Sequence, residues 1–271
     1  MENLYQLLAD AANQGRSVAL ATVVRVEGSV PREIGAKMVV YADGTIAGTI
    51  GGGEMEALVI REAVQAIAQG KPRPVHYTLQ DASAGDPGVC GGVADVFVDV
   101  VIPRPTLLVL GAGHVGMPIA EVGHLCGFKV IVVDDRADMV SAERFPHADE
   151  RIARDFVDAL RDLEITPGTY VVIVTRGHAY DKQVLHAVID SPAAYVGMIG
   201  SRRKVQVIFD HLRAAGVAEA LIRRVYSPIG LDIGGRTPAE IAVSILAEIV
   251  ALRHGKLGAP QDRRIKSKNL E

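Results

Sequence analysis

The hydrophobic pattern along this chain changes rhythm at a single point, near residue 103. Before it, Leu4, Leu7, Leu8, Ala11 and Ala12 recur at helical spacing and Gly15 follows as a stop, so a helix is expected over 2–14. Ser17 to Val26 and Lys37 to Ala42 are rich in β-branched residues and read as strands. Asp43-Gly44 is a two-residue hairpin signal, with Thr45 to Ile50 as the returning strand. Gly51, Gly52 and Gly53 then precede a helix over about 54–68, whose Met55, Leu58, Val59, Ala63 and Ile67 share one face. Val75 to Leu79 reads as a short strand and 80–92 as a loop. Val93 to Ile102 alternates, with Val96, Val98, Val100 and Ile102 on one face and Asp95, Phe97 and Asp99 on the other. Pro103 and Pro105 cannot continue a ladder and mark a boundary.

Beyond the boundary, buried-strand runs alternate with helical patterns. Strands are expected over Thr106 to Leu110, Lys129 to Asp134, Tyr170 to Thr175 and Ala194 to Ile199, and helices over His114 to Cys126, Lys182 to Ile189 and Arg202 to Ala215. The last helix has explicit punctuation: Thr237 as N-cap, Pro238 at the first helical position, Glu240 completing a capping box, and Arg253 and His254 at the far end. The fold class expected is α/β, an N-terminal α+β domain over 1–103 followed by a Rossmann-like doubly wound parallel sheet over 104–256, with a flexible tail over 257–271.

Composition narrows this picture. Aromatic residues make up only 4% of the chain and Trp is absent, so the cores must be aliphatic, which suits sheets buried on both faces. The net charge of −3 gives no reason to expect a nucleic-acid or membrane surface. No window reaches the ~18 apolar residues of a spanning helix. Cys90 and Cys126 fall in different expected domains, so no disulfide is expected, and a soluble, cytoplasmic protein follows. Cys126, ending a helix between Leu125 and Phe128, is expected to pack in the core.

The candidate chemistry sits at strand-to-helix turns. Gly111, Gly113 and Gly116 form a GxGxxG pattern, with His114 inside it, between a strand and a helix. Such glycines permit the tight turn, the approach of a pyrophosphate and close helix–sheet packing. Asp134 stands where a ribose-binding carboxylate belongs; Asp135 follows, and Arg136 suits a 2′-phosphate instead. The site is thus expected to bind NAD or NADP. Gly51, Gly52 and Gly53 make a second turn, open to two readings, an anion nest or a tight turn with Glu54 and Glu56 favouring the helix dipole. His178 and Asp181, at the carboxyl end of a strand, are candidate polar contacts, and Asp181 equally suits a helix start. Arg202, Arg203 and Lys204 follow Ser201 at a helix start, where cations oppose the dipole, so either an anionic ligand or a solvated face must account for them. Cys90, followed by two glycines, reads either as an accessible soft ligand or as a small buried residue.

Several of these motifs occur together in one known family. The segments GSVPREIGAKMVV (28–40), GTIGGGEME (48–56), CGG (90–92), GAGHVG (111–116), VVDDR (132–136), TRGHAYD (175–181), IGSRRK (199–204) and PIGLDIGGRTPAEIAVSILAEI (228–249) resemble, in this order, the XdhC/CoxI family of xanthine dehydrogenase accessory factors. The resemblance implies a chaperone that binds the molybdenum cofactor, a molybdopterin, transiently. It would assist sulfuration of the cofactor with a cysteine desulfurase and insert it into an apo molybdenum hydroxylase. It assigns the molybdenum contact or sulfur transfer to Cys90, with Gly51, Gly52, Gly53, His178, Asp181, Arg202 and Arg203 around the cofactor. An arginine expected shortly after CGG is missing here. A homodimer is expected. Two other classes stay open: an NAD(P)-dependent oxidoreductase with His178 or Asp181 as acid–base group, and a dinucleotide-sensing regulator. No conventional catalytic motif is present, and the resemblance implies a chaperone rather than a catalyst.

Overall fold

The computed structural model describes residues 3–28, 32–78 and 92–258. The chain divides into two compact units, 1–103 and 104–271.

The first unit is a five-stranded antiparallel sheet with a helix on each face. Its strands are β1 (Val18–Glu27), β2 (Lys37–Tyr41), β3 (Ile46–Gly48), β4 (Arg73–Thr78) and β5 (Val93–Val101), in the order β3-β2-β1-β5-β4. Helix α1 (Leu4–Asn13) covers one face with Leu8 and Ala11 over Val18 and Val39. Helix α2 (Gly53–Gln69) covers the other, placing Met55, Val59, Ala63 and Ala66 on Ala19, Ala21, Val23, Met38 and Val40. The alternating burial along the central strands is the period-2 pattern read in the sequence. The hairpin differs from expectation. Tyr41 N–H donates to Thr45 O at 2.9 Å and Val40 pairs with Ile46, so three residues, not two, make the turn. Gly44, at φ +83°, takes the left-handed conformation that closes such loops.

The second unit is a six-stranded, wholly parallel sheet. Its strands are β6 (Thr106–Leu110), β7 (Lys129–Asp134), β8 (Glu150–Ala153), β9 (Thr169–Ile173), β10 (Tyr195–Met198) and β11 (Val225–Tyr226), in the order β11-β10-β9-β6-β7-β8. Chain order reverses between β6 and β9, and this switch point opens a crevice at the carboxyl ends of the strands. Helices α3 (Gly116–Leu125) and α8 (Pro238–Arg253) cover one face, where Ile119, Ala242, Ile245 and Ile249 meet Leu107, Val109, Val130 and Val132. Helices α4 (Phe156–Asp162), α5 (His178–Val188), α6 (Arg202–Ala214) and α7 (Glu219–Arg223) cover the other. Strands β8 and β11 and helices α4 and α7 carry no strong pattern and were not expected.

Cys126 is corrected by the structure: it is exposed, at the C-cap of α3, and the neighbouring Leu125 is 77% exposed. The chain turns at Gly127, φ +81°, and only Gly123 and Phe128 on either side enter the core. Cys90 and most of the loop expected over 80–92 lie outside the described residues. Among the described residues no helix is long and apolar enough to cross a membrane.

Candidate functional site

The glycine turn after β6 has the geometry its sequence calls for. Gly111 sits at φ +122°, and a Cβ there would lie 2.4 Å from Val174 O. A Cβ on Gly116 would lie 2.0 Å from Gly111 O, so α3 can start this close to the turn only without a side chain. Gly113 is different: nothing lies within 4 Å of a Cβ built on it, so its missing side chain faces open space. The N–H groups of Gly113 and His114 have no acceptor among the described residues. Backbone donors at a helix N-terminus, free and approachable, make an anion site.

At the end of β7, Asp134 is buried, its side chain 3% exposed. Its Oδ2 accepts Ala112 N–H at 2.8 Å and Arg136 Nη2 at 3.0 Å, while Oδ1 accepts Arg136 Nε at 2.8 Å and Arg136 N–H at 3.1 Å. Burial raises the carboxyl pKa, but the Arg136 guanidinium and the two backbone N–H groups outweigh it and hold Asp134 below the ordinary aspartate value. Asp135 turns to the neighbouring loop, where its Oδ2 accepts Arg176 Nη2 at 2.7 Å and the Tyr180 hydroxyl at 3.1 Å. Arg176 also lies over the Tyr180 ring, 4.9 Å from its centroid. Arg176 and Tyr180 were missed as site residues. Their signal was present, since Arg176 is the first residue past the buried end of the β9 segment.

A second polar centre joins α5 to α6. Asp181 is fully buried; its Oδ1 accepts the Thr175 hydroxyl at 2.5 Å and its Oδ2 pairs with Lys204 Nζ. Lys204 at the helix start is therefore explained by a buried carboxylate. Arg202 and Arg203 have no ion-pair partner among the described residues, and both are exposed. Beside them is a cavity of about 570 Å³ lined by Lys182, Ser201, Arg203, Lys204, Val207, Ile208 and His211. The Ser201 hydroxyl caps α6 by accepting Lys204 N–H at 3.3 Å. His178 opens α5 in sequence order.

The glycine turn of the first unit is filled from within. Glu56 Oε2 accepts the Thr49 hydroxyl at 2.5 Å, Ile50 N–H at 3.0 Å and Gly52 N–H at 3.2 Å. Burial raises the Glu56 carboxyl, and the Thr49 hydroxyl with the turn N–H groups outweighs it, so the pKa falls below the ordinary glutamate value. A phosphate approaching Gly51, Gly52 and Gly53 would compete with this carboxylate. The loop 227–236 is tied to α8: Gly230 N–H donates to Glu248 Oε1 at 3.1 Å, and the Tyr195 hydroxyl donates to the same oxygen at 2.5 Å. Among the described residues no cluster of three or more His, Cys, Asp or Glu side chains is placed to hold a metal ion.

The strand order, the glycine turn and the acidic residue at the end of β7 define a Rossmann-type protein. Its sequence matches the XdhC Rossmann domain over residues 107–249 and the XdhC and CoxI family over 11–78, so the chain belongs to the XdhC family. It is 40% identical over 94% of its length to YqeB of Escherichia coli (strain K12) and covers 47% of that protein. A probable xanthine dehydrogenase component of Bacillus subtilis (strain 168) is 30% identical over 59% of the chain and 46% of the relative. The chain thus spans about half the length of these two relatives. The molybdenum cofactor insertion chaperone PaoD of Escherichia coli (strain K12) is 23% identical over 92% of the chain and 88% of PaoD. A solved xanthine dehydrogenase structure from Bacillus halodurans shares the fold, with TM-score 0.52 and 24% identity over 93% of this chain and 96% of that one.

Proposed function

We propose that this chain is a maturation factor that binds the molybdenum cofactor and inserts it into a xanthine dehydrogenase-type molybdenum hydroxylase. The observation that carries the reading is the cationic cavity at the start of α6. Lys182, Arg203 and Lys204 face it, no carboxylate lines it among the described residues, and Val207 and Ile208 supply an apolar wall. Molybdopterin needs this combination, a cationic site for its phosphate ester and an apolar surface for its fused rings. Arg203, which opposes the dipole of α6, then has an electrostatic purpose. Asp181 holds Lys204 in place from below rather than touching the ligand. The likeness to PaoD along most of both chains supports the same reading.

Sulfuration belongs to the proposal as a second step, with a cysteine desulfurase as donor and Cys90 as the thiol that meets molybdenum or the transferred sulfur. A thiolate matches a metal centre already carrying soft sulfur ligands. The test is anaerobic expression alongside active cofactor synthesis, followed by pterin and molybdenum analysis of the purified chain. Pterin is expected with the unmodified chain and with Cys90→Ser, and is lost from the Arg202→Glu/Arg203→Glu variant. Cys90→Ser fails to support activation of an apo-hydroxylase, as does Cys90→Ala. A pterin-free chain sinks the binding claim, and full activation by Cys90→Ala ends the thiol role.

A further inference from the structure

The crevice at the switch point holds two guanidinium groups that the cofactor-insertion reading does not use. A dinucleotide seated with its pyrophosphate on the start of α3 places its adenosine ribose beside the end of β7. There a free 2′-hydroxyl needs an accessible acceptor. Asp134 offers none, because both its oxygens already receive N–H groups, from Ala112 and from Arg136, and its side chain is 3% exposed. What faces the crevice instead is Arg136 and Arg176, with Asp135 ion-paired to both. Arg136, 33% exposed, binds Asp134 through Nε and Nη2, and its Nη1 has no partner among the described residues. Arg176, 41% exposed, binds Asp135 and the Tyr180 hydroxyl through Nη2, and its Nε and Nη1 have no partner among the described residues. The two arginines follow β7 and β9, either side of β6, at the carboxyl edge of the sheet.

We propose that Arg136 and Arg176 form a phosphate-recognising pair, so that this crevice selects a dinucleotide carrying a phosphate monoester on its adenosine ribose over one with a free vicinal diol. The carboxylates fix both guanidinium forks before the ligand arrives, which lowers the ordering cost of binding. They also neutralise much of the local charge, so the signature is selectivity rather than very tight binding. Asp134 is a positioning residue in this arrangement: it links the glycine turn to Arg136 and does not touch the ribose.

The experiment is calorimetry of the full chain with NADPH, NADH, adenosine 2′-monophosphate and inorganic phosphate. NADPH is expected to bind about tenfold or more tighter than NADH, the ratio one or two charge-assisted hydrogen bonds confer. Adenosine 2′-monophosphate competes with NADPH at concentrations where inorganic phosphate does not, which separates an adenosine-linked phosphate from any phosphate. Arg136→Ala and Arg176→Ala each reduce NADPH affinity to near that of NADH, while melting temperatures show that both variants fold. Arg176→Lys keeps the charge but loses the fork, and recovers only part of the selectivity. Equal binding of the two dinucleotides, or binding of neither, overturns the proposal. So does tighter NADH binding by Arg136→Ala, which would make Arg136 a plug over Asp134. No molybdenum or pterin enters the assay, so its outcome is independent of the cofactor-insertion reading.

Discussion

The two glycine turns of this chain have similar sequences and opposite occupants. Both lie between a strand and a helix, and both present backbone N–H groups. In the turn at 49–53 they are met by Glu56, from the first turn of the helix that follows. In the turn at 111–116 the carboxylate comes from the next strand and reaches Ala112, and the N–H groups of Gly113 and His114 have no acceptor among the described residues. A glycine-rich turn thus provides donors, and the position of the nearest carboxylate decides whether they are structural or available to a ligand.

The comparison breaks most severely at Gly116. Gly116→Ala puts a methyl group 2.0 Å from Gly111 O, a backbone atom that cannot step aside. The expected loss is about 3 kcal/mol in the stability of the second unit, read by denaturant unfolding. Unchanged stability would mean that the turn and α3 are further apart than described.

Asp134→Ala comes next. It leaves a buried Ala112 N–H and the Arg136 fork without their acceptor, and a loss of about 2 kcal/mol is expected. If Asp134→Ala instead melts normally and loses only NADH affinity, the carboxylate serves the ribose and the phosphate-recognition proposal fails.

Glu56→Gln makes the equivalent test in the first unit, with an expected loss of about 1–2 kcal/mol at neutral pH. Its pH dependence gives the sign. The folded-state pKa of Glu56 lies below the unfolded one, so the stabilisation is complete above the ordinary glutamate range. It fades as pH falls through the lowered folded value, and the gap between the melting temperatures of wild type and Glu56→Gln should close over that window.

The smallest structural effect is expected at Gly113. The Cβ of Gly113→Asp meets no atom within 4 Å, so stability should change by less than about 0.5 kcal/mol. Dinucleotide binding should nevertheless be abolished, because the new carboxylate occupies and repels the pyrophosphate position. Calorimetry beside a melting curve separates the two effects.

Much of the fold was legible in the sequence because buried elements must repeat their apolar positions at the period of their backbone. Most strands of both sheets, the long helices and the capping box at Thr237 and Glu240 were read in this way, and the capping box forms as expected. Strand β11, two residues long, and helix α7, five residues long, are too short to show a period. Strand β8 lies at the sheet edge, with Glu150 and Ile152 partly buried and Arg151 and Ala153 exposed, and its pattern is correspondingly weak. Local sequence also marked the glycines, Asp134 and the cations before α6, since each has a conformational or electrostatic character of its own.

Pairings between distant residues were decided only by the tertiary structure. Nothing local says that Asp135 will meet Arg176, 41 residues on, or that Lys204 will meet the buried Asp181. Nor does it say that Asp134 will meet the N–H of Ala112, 22 residues back. The sequence determines which groups need a partner, because a buried charge or N–H is costly alone. The packing of strands and helices determines which partner lies within hydrogen-bonding distance, and so which charges remain for a ligand.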